Sequence, residues 1–160
     1  MSDNVRPDWY AERANAIDAL AAFARETVGA GATVDRGEFS GAGIPTLSVA
    51  PINPHARSVD VLGEQSLVVQ LGENGGRWEL GYESADLALA RALIESAVAG
   101  RIVQRFALAR SRVTATLADG RVIQQTGYNG CLSVLVPLPG WTRWGRLVEY
   151  EPYRDTTLRS

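Results

Sequence analysis

The residues best suited to covalent chemistry are His55 and Cys131, each of which occurs once in the 160-residue chain. A cysteine close in space to a histidine can act as a nucleophile activated by a base. Cys131, however, opens the apolar run CLSVLVPL, where a free cysteine is typically a small buried hydrophobe. His55 lies in the proline-flanked stretch PINPHARS. We therefore expect no catalytic pair, and one histidine with one cysteine falls short of the ligand sets of structural zinc sites.

Other catalytic patterns are equally weak. Carboxylate pairs such as Glu79 with Glu83, or Asp35 with Glu38, could serve glycoside hydrolysis, but surface carboxylates are the norm in any chain. The serines lack the GxSxG nucleophile elbow. GAGATVDRG and GENGG lack the dinucleotide-binding spacing, and the chain has no lysine for a phosphate-binding loop. The sequence predicts no catalytic site, no metal and no cofactor.

The segment PLPGWTRWGRLVEYEPY, residues 137–153, is the richest in residues that bind proteins. It holds two of the four tryptophans and two of the five tyrosines. Trp, Tyr and Arg dominate the binding energy of protein interfaces, and a loop bounded by proline and glycine can present them on a rigid scaffold. Trp141, next to the apolar run, is expected to plug the core instead. The predicted partner-binding residues are Arg143, Trp144, Arg146, Tyr150 and Tyr153.

Charge is unevenly distributed along the chain. Residues 1–100 contain 7 arginines and 14 acidic residues, and residues 101–160 contain 9 arginines and 4 acidic residues. Such asymmetry can mark a partner surface, although we expect the two halves to interleave in the fold and neutralise each other. A nucleic-acid-binding module built from the Arg- and Trp-rich last third is an alternative. The isoelectric point near 5.4 counts against it.

Composition points to an ordinary globular protein. Apolar residues make up 46% and charged residues 21%, so residues 1–160 are expected to form one domain with a sizeable core. The N-terminus does not have the pattern of a signal peptide, and the apolar runs are too short or too broken by charge to span a membrane. We predict a cytoplasmic bacterial protein with no membrane association.

Two amphipathic helices are predicted. The first runs from Pro7 to Val28, with Trp9 in its apolar stripe, and is stopped by the GAG that follows. The second covers Ala85–Ala99, with Ser84 as its N-terminal cap. Apolar side chains on one stripe of each helix must be buried against another element. We expect the side chains Ile17, Leu20, Leu87 and Ile94 to lie beneath the helices.

The remaining chain reads as short strands joined by tight turns, with Asn74–Gly75 and Asp119–Gly120 as turn signals. The predicted strands are Thr46–Ala50, Ser58–Leu62, Ser66–Gly72, Arg77–Tyr82, Arg101–Ala109, Arg112–Leu117, Arg121–Tyr128, the strongly apolar Cys131–Leu138 as a central strand, and GRLVEYEPY as an edge strand. Short hairpin connections favour antiparallel pairing. The predicted fold is α+β, a mainly antiparallel sheet with two α-helices packed on one face.

The whole-chain pattern resembles the small, single-domain immunity proteins of bacterial toxin systems, which are α+β and poor in catalytic motifs. That resemblance implies a non-enzymatic cytoplasmic protein that neutralises a toxin by direct binding. The acidic first half could steer a basic toxin domain. The alternative is a small enzyme or ligand-binding α+β domain whose pocket is built from dispersed residues.

Overall fold

The computed structural model describes residues 8–39, 43–72 and 74–154. Two long helices and two antiparallel sheets give the predicted α+β class. The helical elements are α1 (Asp8–Val28), a 3₁₀ turn (Gly29–Gly31), α2 (Ser84–Val98), α3 (Leu132–Leu135) and α4 (Trp141–Trp144). The strands are β1 (Ala32–Phe39), β2 (Ile44–Pro51), β3 (Val59–Gly63), β4 (Leu67–Leu71), β5 (Arg77–Leu80), β6 (Ile102–Ala107), β7 (Arg110–Thr116), β8 (Val122–Tyr128) and β9 (Arg146–Glu149).

The first sheet is a five-stranded meander in the order β1-β2-β3-β4-β5. Alternating buried and half-buried residues along β2 and β3 give it one face for the core. The register places Leu47 opposite Val61 and Val61 opposite Val69, so the buried side chains form a continuous row across the strands. This row is the surface on which α1 packs.

The second sheet has the order β8-β7-β6-β9 and is also antiparallel. The last strand, β9, returns to pair with β6 and forms an edge, as predicted for the segment before Pro152. Side chains alternate across this sheet. Ile102, Val113 and Ala115 face the core, while the opposite face, called the outer face below, carries Arg105 and Arg112.

Both sheets and both long helices share one hydrophobic core. Ile17 and Leu20 of α1 and Leu93 and Ile94 of α2 are fully buried in it, whereas Leu87 is half-buried. The helices therefore pack on antiparallel sheet as predicted, and the strands divide into two sheets because the chain starts a separate sheet after α2. Among the described residues, no helix is long and apolar enough to cross a membrane.

A buried polar network joins the two sheets. Gln104 of β6 donates from Nε2 to the carbonyl of Asn74 in the β4–β5 turn and to Ser111 Oγ at 3.2 Å, and Tyr150 Oη donates to Gln104 Oε1 at 3.0 Å. The turn can approach because Gly75 has no side chain: a Cβ there would lie 2.5 Å from Ser111 Oγ. Because buried polar groups need partners, this network fixes how the turn sits against the second sheet.

Three details of the sequence prediction are wrong. The N-terminal cap of α2 is Glu83 and not Ser84. The backbone N–H of Glu83 donates a hydrogen bond to the Asp86 carboxylate at 3.3 Å. Trp9 is 51% exposed and lies beneath the Arg13 guanidinium, 4.3 Å from the ring centre, instead of in the core. The run from Cys131 to Leu138 forms no central strand, because it folds into the short helix α3 and an irregular stretch on the protein surface.

Candidate protein-binding surface

Residues 129–145 connect β8 to β9 and lie across the outer face of the second sheet. We call them the covering segment. It contains the two short helices α3 and α4, which interrupt an otherwise irregular chain. Three arginines that project from the outer face, Arg105, Arg110 and Arg112, hold it in place.

Arg110 anchors the first part of the covering segment. Its guanidinium is buried, and it donates to the carbonyls of Leu108 at 3.2 Å, Ser133 at 2.8 Å and Val136 at 2.6 Å. Burying a charged group without hydrogen bonds costs folding free energy. The three carbonyl acceptors offset that cost for Arg110. The arrangement is consistent with the absence of an extended strand in the apolar run. The carbonyl groups of Ser133 and Val136 accept hydrogen bonds from the Arg110 side chain and not from a neighbouring strand.

Arg105 anchors the second part. Its Nη1 donates to the carbonyl of Arg143 at 3.2 Å and to the carbonyl of Gly145 at 2.8 Å, where α4 ends. A cation at the end of a helix satisfies carbonyl groups that lack an intrahelical partner. Gly145 is required by close approach, because a Cβ there would lie 2.6 Å from the Phe106 carbonyl oxygen.

Trp141 fills the space between the covering segment and the sheet. It is 8% exposed, as predicted for a core plug, and the Arg112 guanidinium lies 5.6 Å from its ring centre. That distance is within range of a cation–π interaction. Trp141 therefore supports α4 and is not available to a partner.

Large exposed apolar side chains lie on and beside the covering segment. Trp144 is 59% exposed and Leu135 is 73% exposed, and Tyr128 at the end of β8 is 63% exposed. The indole N–H of Trp144 donates to the Pro139 carbonyl at 3.2 Å, which holds the ring in one orientation. Trp144 and its neighbour Arg143, both in α4, are exposed to solvent.

The two arginines predicted to bind a partner carry charge that is not neutralised. Arg143 and Arg146 are exposed, and within residues 8–39, 43–72 and 74–154 no carboxylate forms an ion pair with either of them. The Arg146 guanidinium lies 5.0 Å from the ring centre of Phe106. We call the exposed side chains Tyr128, Leu135, Arg143 and Trp144, which lie on or beside the covering segment, the aromatic–arginine surface. Arg146 does not belong to it, because the β6–β9 register places Arg146 opposite Phe106, on the sheet face that also carries Gln104.

The two predicted tyrosines lie elsewhere. Tyr153 is 3% exposed and its hydroxyl donates to the Arg57 carbonyl at 2.6 Å. Burial, with a smaller contribution from Asp60, raises the pKa of the Tyr153 phenol well above its usual range. Tyr150 is half-buried and engaged with Gln104. Neither side chain belongs to the aromatic–arginine surface, because both hold the end of the chain against the core.

Sequence reasoning missed two members of this surface. The apolar neighbours of Leu135 predict that it lies in a buried strand. The pattern around Tyr128 predicts a strand and gives no indication of an exposed ring. The uneven charge along the chain indicates where the basic residues lie. The two halves do not interleave in the sheets as expected, because residues 32–80 build the first sheet and residues 102–149 build the second. The basic last third therefore occupies the second sheet and its covering segment.

His55 and Cys131, the residues suited to covalent chemistry, lie in two different connecting segments of the fold. Cys131 is exposed, so the prediction that it is buried is wrong. His55 is exposed in a turn, where its backbone N–H donates to Asn53 Oδ1 at 3.0 Å. Glu79 forms an ion pair with Arg77 at 3.4 Å. In the part of the chain that the structure describes, no three His, Cys, Asp or Glu side chains could hold a metal ion.

No family model, no curated protein and no solved structure matches the chain.

Proposed function

We propose that this protein is a non-enzymatic protein-binding domain that contacts its partner through the aromatic–arginine surface. The observation that carries the proposal is the exposure of Tyr128, Leu135 and Trp144 on or beside a segment held to the sheet by buried side chains. Exposed aromatic residues beside arginine are the composition of interface hot spots. Their fixed support lowers the entropic cost of binding.

The composition of the surface favours a partner whose contact region combines apolar side chains with a carboxylate. Arg143 has no ion-pair partner in the described ranges, so a partner carboxylate would gain a contact without breaking an existing one. The basic toxin domain predicted from the acidic first half would require contact residues other than this positively charged surface. That prediction is separate from the surface proposed here.

The biological form that we propose is an immunity or inhibitor protein, which covers a bacterial toxin and blocks it. Support comes from the whole-chain resemblance to such proteins and from a presented surface of the kind that inhibitors use. Binding alone suffices for this role, so it requires no catalytic side chains.

The nucleic-acid alternative receives less support. A single-strand binder needs exposed aromatic rings between free arginines. The exposed rings of Tyr128 and Trp144 and the unpaired Arg143 meet part of that requirement. Arg105 and Arg110, however, hold the covering segment through its carbonyl groups, and the isoelectric point near 5.4 counts against a phosphate-binding role.

A capture experiment with matched baits tests the proposal. The wild-type chain, Trp144→Ala and Trp9→Ala would be immobilised and exposed to lysate of the native organism. Trp9 is a fitting control because it is a second exposed tryptophan, on α1. A partner retained by wild type and Trp9→Ala, and lost by Trp144→Ala, supports the surface. Equal retention by all three baits contradicts it.

The inhibitor role needs a further measurement. The captured partner would be purified and its toxicity or enzymatic activity titrated with this protein. Loss of activity at one equivalent supports an immunity function. A partner whose activity is unchanged at saturation contradicts the inhibitor role and leaves the protein-binding proposal standing.

A further inference from the structure

We propose a second site on this molecule: a pocket between α4 and the outer face of the second sheet that binds a small organic anion through a carboxylate or phosphate group. The space has a volume of about 380 Å³. That lies in the lower part of the range of small-molecule sites. Its walls come from four strands and α4, and they are formed by Val103, Arg105, Arg112, Thr114, Gln124, Thr142 and Leu147.

Two arginines face each other inside this pocket. The register of β6 and β7 places Arg105 directly opposite Arg112. Like charges in that position are destabilising unless something offsets them. Within the described ranges no carboxylate forms an ion pair with either guanidinium, and the nearest acidic register position, Glu149 opposite Val103, is exposed and does not line the pocket. A bound anion would supply the missing negative charge.

Both guanidinium groups keep hydrogen-bond donors for such a ligand. Arg105 uses Nη1 for the carbonyls at the end of α4, and Arg112 uses Nε for Thr126 Oγ1 at 3.1 Å. The remaining N–H groups of both side chains have no partner among the residues that the structure describes. Because the guanidinium fork matches the geometry of carboxylate and phosphate oxygens, the paired forks favour these two groups over a simple halide.

The other walls indicate an organic ligand. Thr114 and Thr142 bring hydroxyl groups that form no hydrogen bond within the described ranges, and Gln124, opposite Thr114, adds an amide. Val103 and Leu147 give the pocket an apolar side. A charged head between the arginines and a short apolar body against Val103 and Leu147 would use all of these features. This inference does not depend on the proposed protein partner.

Titration of the isolated protein with two probes tests the proposal. Phenyl phosphate and hexanoate each combine an anionic head with an apolar body, and sodium chloride at matched ionic strength is the blank. The readout is the indole N–H resonance of Trp141, assigned with Trp141→Phe, because this ring lies against Arg112. We expect a saturable shift with at least one probe and none with chloride. The preferred probe identifies phosphate or carboxylate as the ligand group.

Matched variants locate the binding. Arg112→Gln should weaken binding by about tenfold or more, since a hydrogen bond to a charged group is lost. Arg121→Gln removes an exposed arginine that is paired with Asp119 at 2.6 Å, away from the pocket, and should bind as wild type does. If Arg112→Gln fails to fold, Thr114→Val gives the same test at the pocket wall. The absence of a saturable shift with both probes, or equal weakening in Arg121→Gln, would overturn the proposal.

Discussion

Replacing Trp141 by alanine tests how the covering segment is supported. The indole is 8% exposed and fills the gap between α4 and the outer face. A tryptophan buries about 200 Å², which at about 25 cal/mol per Å² corresponds to about 5 kcal/mol as an upper limit. The vacated volume would adjoin the open pocket lined by Arg112 and Thr142, so water can enter it. We therefore expect Trp141→Ala to cost about 3 kcal/mol, the lower end for a buried aromatic.

Trp144→Ala is the matched control for that prediction. Its ring is 59% exposed, and its indole N–H donates one hydrogen bond, to the Pro139 carbonyl. Losing it should cost no more than about 1 kcal/mol. Urea unfolding followed by far-ultraviolet circular dichroism measures both variants without relying on tryptophan fluorescence. Equal free-energy losses for the two variants, or a larger loss for Trp144→Ala, would refute the account of how α4 is held.

Further predictions concern stability. Tyr153→Phe should lower the free energy of unfolding by about 1–3 kcal/mol at neutral pH, because a buried carbonyl loses its partner. Because burial raises the folded-state pKa of Tyr153, the wild type should lose stability as pH rises above the unfolded-state tyrosine value of about 10. Urea titrations at several pH values should show a shallower loss for Tyr153→Phe than for the wild type. Gly145→Ala should cost about 1–3 kcal/mol in the same assay, because its Cβ meets the Phe106 carbonyl. Cys131→Ser, at an exposed position, should change stability by less than about 0.5 kcal/mol.

Much of the fold follows from local signals. The Asn74–Gly75 and Asp119–Gly120 turns lie between strands that the structure pairs as antiparallel neighbours. Both long helices begin and end within a few residues of the predicted boundaries. These features depend on residues close together in the sequence, where propensity and turn chemistry act directly.

The largest error arose where the partner of a segment is distant in sequence. An apolar run of eight residues from Cys131 is compatible with a buried strand, since periodicity alone does not separate short strands from other buried elements. The free edge of β6 is instead occupied by β9. The apolar run is held by Arg110, because the guanidinium of Arg110 donates to two carbonyl groups of the run. A buried arginine that binds backbone carbonyls leaves no pattern in the sequence.

The candidate sites were partly accessible from composition. The Trp- and Arg-rich segment directed attention to Trp144 and Arg143, and the distinction between Trp141 and Trp144 follows from which of them is nearer the apolar run. The pocket was not accessible, because it requires the pairing of β6 with β9 and the position of Thr142 above the sheet. Both depend on how the covering segment folds back.

The most direct test of the central claim is the affinity of the purified partner for wild type, Trp144→Ala and Trp9→Ala, measured by isothermal titration calorimetry. If the aromatic–arginine surface is the binding site, Trp144→Ala should weaken binding by at least about 2 kcal/mol, or about thirtyfold, with Trp9→Ala unchanged. Wild-type affinity for Trp144→Ala, with the variant folded, would contradict the account and place the interface elsewhere on the molecule.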